Sequence, residues 1–101
     1  KHIKIALSDI LYCYKSSKMC VLVTEKEHYR ERKTLHQLLA DLNRVQGSLV
    51  MIERGFIVNI RYINRIDKNE LILDNQECLP IGHTYLKSVK QRMTGYWRKR
   101  L

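Results

Sequence analysis

The chain has 101 residues, of which 19 are Lys or Arg and 10 are Asp or Glu, so its formal net charge is +9. This length suits one domain with one modest core, since 45% of the residues are hydrophobic, and it leaves no room for a second catalytic domain. No apolar stretch approaches the roughly 20 residues that cross a bilayer, and no charged and then apolar leader opens the chain, so we expect a cytoplasmic protein without membrane contact.

The first third of the chain predicts an antiparallel meander. Apolar residues alternate with polar ones or form short runs, and a polar turn at residues 15–18 separates two of these runs. Connections this short cannot make parallel crossovers. The predicted strands cover residues 3–5, 10–14, 19–23 and 28–33.

One amphipathic helix is predicted over residues 34–42. Thr34 is a suitable N-cap with Gln37 three residues later, and leucines at positions 35, 38, 39 and 42 form a single apolar stripe. Residues 43–48, which contain Gly47, are expected to close the helix. His36 and Asp41 fall on its solvent face, and we assign them no chemistry.

The second half of the chain predicts further short strands and a terminal helix. The strands cover residues 49–52, 56–58, 62–66, 71–73 and 78–81, with turns at 67–69 and 74–76, and Pro80 suits an edge strand. A helix is expected to start near Thr84, with Leu86, Val89 and Met93 as its apolar stripe, which Gly95 weakens. The fold class is therefore mainly β, with one central helix and a C-terminal helix.

Motifs of enzymes and cofactor sites are missing from the sequence. It contains no glycine-rich phosphate loop, no HExxH and no GxSxG, and its four histidines, at positions 2, 28, 36 and 83, lack helical ligand spacing. We therefore predict a protein that is not an enzyme, with no catalytic residue, no metal and no cofactor.

The cysteines indicate the redox state expected for the chain, and its first residue indicates a fragment. Cys13, Cys20 and Cys78 are odd in number and fit neither a disulfide framework nor a paired metal site, so we expect reduced, buried thiols. The chain starts at Lys1 rather than Met, which favours a fragment whose N-terminal regulatory domain is missing.

Positive charge is concentrated at the C-terminal end. Residues 83–101 contain six basic residues and no acidic one, whereas residues 1–82 have a net charge of +3. This block favours a polyanion partner, with nucleic acid ahead of anionic membrane because the segment lacks a broad apolar face. The alternative is a solvated tail that only keeps the domain soluble.

Two common routes of nucleic-acid recognition fit the sequence poorly. The predicted helix 34–42 exposes no basic face, which disfavours a helix-turn-helix. Tyrosines at positions 12, 14, 29 and 62 are candidates for base stacking, but no Arg and Gly interleave them, so core or half-buried tyrosines are the better interpretation.

Three segments, in order, resemble the LytTR family of DNA-binding domains. They are Ser-Asp-Ile-Leu-Tyr at residues 8–12, Arg-Gly-Phe-Ile-Val-Asn at 54–59 and Leu-Pro-Ile-Gly at 79–82. The resemblance spans nearly all of residues 1–101, which we take as one domain. It implies elongated antiparallel β-sheets in a β-β-β sandwich that recognises DNA through loops rather than through a recognition helix.

The resemblance also implies a role and partners. Family members are usually effector domains of bacterial two-component response regulators, placed behind a receiver domain, and they bind paired direct repeats in promoters. We therefore expect sequence-specific binding of double-stranded promoter DNA, with loops in successive major grooves and a dimer on the DNA.

The family's contacting loops map onto particular residues of this chain. In physical terms an Arg offers a bidentate fork to guanine or phosphate, a Lys supplies charge, and hydroxyls and imidazoles donate at a groove edge. For Arg61, which lies beside a predicted strand, phosphate contact and plain solvation remain equally open. The expected DNA-binding residues are Ser17, Lys18, Arg54, Arg61, His83, Thr84 and Lys87.

The chain departs from the family pattern at three of these positions or their neighbours. Glu53 stands where the family usually has His, while Gly55 and Gly82 each stand where it has Ser. Glu53 either accepts from a cytosine amino group or orients Arg54, and we favour orientation because a carboxylate facing phosphates is costly. We interpret Asn59 as structural, with its amide satisfying buried backbone groups.

Two alternative functions remain open from the sequence. The departures from the family pattern motivate a protein-interaction module that has lost specific DNA binding, with Phe56, Tyr96 and Trp97 as an apolar docking face. RNA binding is a third possibility, based on charge and tyrosines alone.

Overall fold

The computed structural model describes residues 4–43 and 48–98. Within these ranges, two α-helices and three 3-10 helices accompany eight strands. The strands are β1 (Tyr12–Ser16), β2 (Met19–Val23), β3 (His28–Glu31), β4 (Leu49–Glu53), β5 (Phe56–Asn59), β6 (Ile63–Asp67), β7 (Glu70–Leu73) and β8 (Cys78–Pro80). The α-helices are α1 (Leu35–Asn43) and α2 (Leu86–Arg98), and the 3-10 helices are Leu7–Asp9, Ile60–Tyr62 and His83–Tyr85.

The described strands form two antiparallel sheets. One has five strands in the order β3-β2-β1-β5-β4, and the other has three in the order β6-β7-β8. This arrangement confirms the mainly β class with a central and a C-terminal helix. The order places Pro80 on an edge strand, where its missing N–H breaks no ladder.

The five-stranded sheet is buried on both faces. Val58 and Val21 belong to a core shared with the second sheet and α2, whereas Cys13 and Leu22 belong to a core shared with α1. Since neighbouring residues on a strand point to opposite faces, a sheet covered on both sides needs unbroken apolar runs. Burial on both faces of the sheet explains the run of apolar residues at 19–23 in the sequence.

Helix α1 begins as its sequence predicts. The Thr34 hydroxyl accepts a hydrogen bond from the Gln37 amide at 3.1 Å, and the Thr34 amide donates to Gln37 Oε1 at 3.0 Å. This capping box satisfies two backbone donors at once. Leu35 and Leu38 are buried against the sheet. The predicted helix closure at Gly47 lies outside the described residues.

Helix α2 starts slightly later than predicted. Residues 83–85 form a 3-10 helix, and the α-helix follows from Leu86 through Gly95 to Arg98. Val89 and Met93 are buried as expected, and Leu86 packs at the margin of the same core.

Two expectations about the strands and thiols are wrong. Lys4 and Ile5 form no strand, because the 3-10 helix Leu7–Asp9 begins two residues after Ile5, and Ile5 packs against the α1-side core instead of extending a sheet. Cys78 is exposed rather than buried, because on β8 the alternate residue Leu79 faces the core.

The other two thiols are buried as expected. Cys13 on β1 and Cys20 on β2 are fully buried in the core between the five-stranded sheet and α1. Burial raises the pKa of the Cys13 thiol to about 12 and also raises the pKa of Cys20. Thiols with pKa values raised in this way are poor nucleophiles at neutral pH.

The tyrosines are core or half-buried, as interpreted from the sequence. Tyr12 is buried, and the rings of Tyr12 and Tyr14 stack on Phe56 at centroid distances of 5.2 and 5.7 Å. Tyr29 and Tyr62 are half-buried. No described helix is long and apolar enough to cross a membrane.

Candidate functional site

Two hairpin turns lie side by side at one end of the five-stranded sheet. Strand β1 pairs with both β2 and β5, and the Lys15 amide donates to the Gly55 carbonyl at 2.9 Å. This pairing brings the β1–β2 turn at Ser17 and Lys18 next to the β4–β5 turn at Arg54 and Gly55.

Both turns depend on a left-handed residue. Ser17 has φ 58°, and Gly55 has φ 82°. Glycine adopts positive φ without steric cost, which accounts for Gly55 at the second position of its turn. A Cβ atom at Gly55 would make only ordinary contact with Lys15 Cβ at 3.7 Å, so the backbone conformation rather than space requires glycine.

The connection between β3 and α1 reaches the same end of the sheet. The register pairs Cys20 with Glu31, so β3 ends beside the start of β2, and residues 32–34 then lead into α1. Arg32, His36 and Gln37 are exposed there.

The segment before α2 also reaches this end. The Gly82 amide donates to the Ile52 carbonyl at 2.7 Å, which ties the start of the 3-10 helix His83–Tyr85 to the end of β4. His83, Thr84 and Lys87 are exposed. We call this end of the sheet, with its two turns, the 32–34 connection and the 3-10 helix 83–85, the cleft end.

A basic cleft opens between these segments. It has a volume of about 1140 Å³, and no acidic side chain is among the described residues that line it. Five of the lining residues are Lys or Arg, and one is His. The lining residues are Lys15, Ser17, Lys18, Met19, Arg32, Lys33, Thr34, Leu35, His36, Gln37, Met51, Arg54, Gly55 and Tyr85.

One of the cleft lysines is paired within the protein. Lys33 Nζ lies 2.8 Å from Asp41 Oδ2 on α1. The hydrogen bond and the charge of Asp41 raise the pKa of Lys33. Lys15, Lys18, Arg32 and Arg54 have no salt-bridge partner among the described residues, so their charge is available to an anion.

Helix direction adds to the positive potential. Helix α1 starts at the cleft and ends at Asn43, whose side chain bonds the backbone of Leu49 at the far end of β4. Helix α2 also starts at the cleft end, and Arg92, in the middle of this helix, donates to the Leu49 carbonyl at the far end of β4 at 3.1 Å. Both helix N-termini, which carry partial positive charge, therefore face the cleft end.

Glu53 is turned toward the protein backbone. Its Oε1 accepts a hydrogen bond from the Arg54 amide at 3.0 Å and lies close to Gly82. This geometry favours the orienting alternative for Glu53 over an acceptor for cytosine.

Six of the seven expected DNA-binding residues lie at the cleft end. Ser17, Lys18 and Arg54 line the cleft, and His83 and Thr84 directly precede Tyr85, which also lines it. Lys87 lies in the first turn of α2. Arg61 lies at the opposite end of β5, where its guanidinium stands 5.8 Å from the centre of the Tyr62 ring.

Asn59 is structural, as its sequence context predicts. Its side chain is fully buried, its Nδ2 donates to the Ile10 carbonyl at 2.9 Å, and its Oδ1 accepts from the Arg61 amide at 3.1 Å. The amide thus satisfies two backbone groups.

The contribution of the β3–α1 connection is not predicted from the sequence. Arg32, Lys33, His36 and Gln37 line the cleft, whereas the sequence pattern assigns His36 no chemistry and indicates no basic face on the helix. The available signal was the Arg32-Lys33 pair directly before the capping box, since side chains near a helix N-terminus lie close to its positive end.

The basic block at the C-terminus is divided by the fold. Lys87 stays at the cleft end, Arg92 bonds the Leu49 carbonyl at the opposite end, and Arg98 is exposed beyond it. Lys99 and Arg100 lie outside the described residues.

Comparisons with known proteins agree with this geometry. The family model of the LytTr DNA-binding domain matches residues 1–94. Among solved structures, the chain is similar to the LytTr DNA-binding domain of a protein named as a methyl-accepting/DNA response regulator from Bacillus cereus, with a TM-score of 0.78 and 22% identity. That match covers 90% of this chain and 86% of the other, and it shows the fold. No curated protein matches the chain.

Proposed function

The chain belongs to the LytTR family of DNA-binding domains, whose role is DNA binding in transcription regulation, and from this premise we propose that its cleft end binds double-stranded promoter DNA sequence-specifically. The β1–β2 turn, the β4–β5 turn and the segment 82–84 enter successive major grooves. The protein is the effector domain of a bacterial two-component response regulator.

The observation that carries this proposal is the charge of the cleft. Among the residues that the structure describes, five Lys or Arg and no acidic residue line it, although the full sequence has 10 acidic residues. These basic residues come from the end of β1 and from three separate connections, so the fold collects them at one surface. A surface of this kind attracts a polyanion and releases its counterions.

The side chains divide into two chemical roles. Arg54, at the tip of a tight turn, offers a planar fork that fits guanine O6 and N7, and Ser17, His83 and Thr84 donate to base edges or phosphates. Lys18, Lys87 and Arg32 supply charge to phosphate oxygens, which fixes the position of the domain on the duplex.

The alternative of an apolar docking face has weaker support. Phe56 is occupied by stacking with Tyr12 and Tyr14, and Tyr96 packs at the margin of the core. Among the described residues, the exposed large hydrophobic side chain is that of Trp97, with 43% of its surface accessible. A single exposed side chain does not make an apolar patch.

The oligomeric state on DNA, the controlling domain and the cellular location are proposed from the family role. We propose that two copies bind paired direct repeats, as a dimer on the DNA, and that a receiver domain in the full-length protein controls them in the cytoplasm. Direct repeats would give both copies the same orientation along the duplex.

A salt titration tests the proposal. If about five phosphates are neutralised, log K falls with log salt at a slope near −4.5 on a duplex with two repeats. The affinity for that duplex exceeds the affinity for random duplex DNA and for an RNA hairpin. An affinity that is flat in salt contradicts DNA binding, and equal affinity for both duplexes contradicts sequence specificity.

A further inference from the structure

Position 82 requires glycine because no space is left there for a side chain, and not because of its backbone conformation. Its φ of −61° and ψ of 137° suit any residue. A Cβ atom at this position, however, would lie 2.8 Å from Glu53 Oε1 and 3.0 Å from Tyr85 Cδ2. The Glu53 carboxylate therefore occupies the volume that a side chain at position 82 needs.

The same carboxylate fixes the backbone of the β4–β5 turn. Its Oε1 accepts from the Arg54 amide at 3.0 Å, and directly before it the Ile52 carbonyl accepts from the Gly82 amide at 2.7 Å. One side-chain contact and one main-chain bond thus join residues 52–54 to Gly82. The turn that carries Arg54 and the segment that carries His83 are held as one unit.

We infer that Glu53 is a positioning residue and that, together with Gly82, it determines the sequence specificity of DNA binding. This inference rests on the proposed function. The carboxylate contacts no DNA. It sets the position of Arg54 relative to His83 and Thr84, so that the two segments meet base edges in a fixed register.

The contact between Glu53 and Gly82 can be removed with little damage to the fold. Glu53 is exposed, and the atom that a Cβ at Gly82 approaches most closely is the end of its flexible side chain. Gly82→Ala therefore displaces the carboxylate and shifts the Tyr85 ring, at the margin of the core, by a few tenths of an ångström. We expect Tm values of Gly82→Ala and Glu53→Ala close to that of the unaltered protein.

The first measurement needs no DNA. Amide hydrogen exchange followed by NMR reports the Arg54 amide directly, and we expect roughly tenfold faster exchange in both Glu53→Ala and Gly82→Ala. Glu53→Gln is the matched control, because its amide oxygen still accepts from Arg54, and its exchange stays near that of the unaltered protein. Unchanged Arg54 exchange in Gly82→Ala overturns the contact.

The second measurement compares affinities for two duplexes, one selected from a random-sequence pool by the unaltered protein and one of random sequence. Each alanine variant lowers the ratio of selected to random affinity roughly tenfold, and the Glu53→Ala/Gly82→Ala double variant lowers it no further, because both changes act through one contact. Glu53→Gln keeps the ratio.

Three outcomes overturn the specificity role alone. In the first, the ratio of selected to random affinity falls roughly a hundredfold in the double variant. In the others, Glu53→Gln lowers this ratio as much as Glu53→Ala does, or Glu53→Ala raises the affinity equally for both duplexes. Failure of the unaltered protein to bind any duplex instead overturns the proposed function, and the specificity role with it, while the exchange measurement still decides whether the contact exists.

Discussion

The two ends of the five-stranded sheet are built from the same strands and use their polar side chains differently. At the cleft end, Ser17, Lys18 and Arg54 are exposed on tight turns. At the opposite end, which we call the closed end, the Asn59 amide is fully buried and bonds the backbone of Ile10 and Arg61.

Further bonds hold the closed end together. The Tyr62 hydroxyl donates to the Ser8 carbonyl, and the Tyr12 hydroxyl donates to Glu77 Oε2 at 2.5 Å. Burial and this carboxylate raise the pKa of Tyr12 above its ordinary value. Polar groups that are bonded inside the protein contribute to stability, whereas polar groups on the turns remain available to a ligand. Stability and binding should therefore respond to mutation at different ends.

The largest effect on stability is expected from Asn59→Ala. This change leaves the buried Ile10 carbonyl and the half-buried Arg61 amide without their side-chain partner, which lowers the free energy of unfolding by about 2–4 kcal/mol. Urea unfolding measures it. The control Asn64→Ala, an exposed residue on β6, changes the free energy by less than about 0.5 kcal/mol. Equal losses in both variants would show that the buried Asn59 amide contributes no more to stability than an exposed one.

The largest effect on DNA binding is expected from Arg54→Ala. Loss of a bidentate base contact costs about 1–3 kcal/mol of binding free energy and relaxes the preference at one base position. The free energy of unfolding changes little, because Arg54 is exposed. Affinities for duplexes with single substitutions measure both effects, and an equal loss on all sequences would assign Arg54 to phosphate anchoring.

Arg61→Ala is the matched control for Arg54→Ala. Both arginines adjoin β5, but Arg61 follows its closed end. If the cleft end alone faces the DNA, Arg61→Ala loses less than about twofold in affinity. A loss as large as that of Arg54→Ala would show that the DNA extends along β5 to the closed end, and it would support the phosphate contact that the sequence left open for Arg61.

Much of the fold follows from local patterns in the sequence. The capping box of Thr34 and Gln37 and the leucine stripe behind it predict α1 nearly residue by residue. Local patterns fail where tertiary contacts determine the conformation. The alternation of residues 3–5 predicts a strand that includes Ile5, but Ile5 packs against the α1-side core. Its residue type predicts a buried Cys78, but side chains alternate along β8, and Cys78 points outward beside the buried Leu79.

The site is harder to predict than the fold, because it depends on strand order. Ser17 and Arg54 lie 37 positions apart in the sequence, and they meet because β1 pairs with β5. Arg32 joins them because β3 runs beside β2 in the same sheet. The C-terminal charge block shows the converse, since α2 carries Arg92 to the closed end, away from Lys87.

A smaller effect should distinguish Arg32 from a neighbouring arginine. Arg32→Ala removes a charge from the cleft, so we expect a three- to tenfold loss of affinity on all sequences and a salt slope shallower by about 0.9. Arg30→Ala removes the same charge from β3 outside the cleft lining and serves as the control. Identical slopes for the two variants would mean that net charge, rather than the cleft, governs affinity.

The smallest effect is expected from Asp41→Asn, which frees a cleft lysine. Lys33 and Asp41 are 40% and 46% exposed, so their ion pair is screened, and its loss changes the free energy of unfolding by less than about 1 kcal/mol. The released Lys33 ammonium faces the cleft, and affinity for DNA rises about two- to threefold at low salt, a gain that disappears near 1 M salt, where the Debye length is about 3 Å. Asp74→Asn removes the same charge near the closed end, where the Asp74 amide donates to the Tyr62 carbonyl, and we expect no gain from it. Equal gains in the two variants would show that the ends of the sheet are electrostatically equivalent toward DNA.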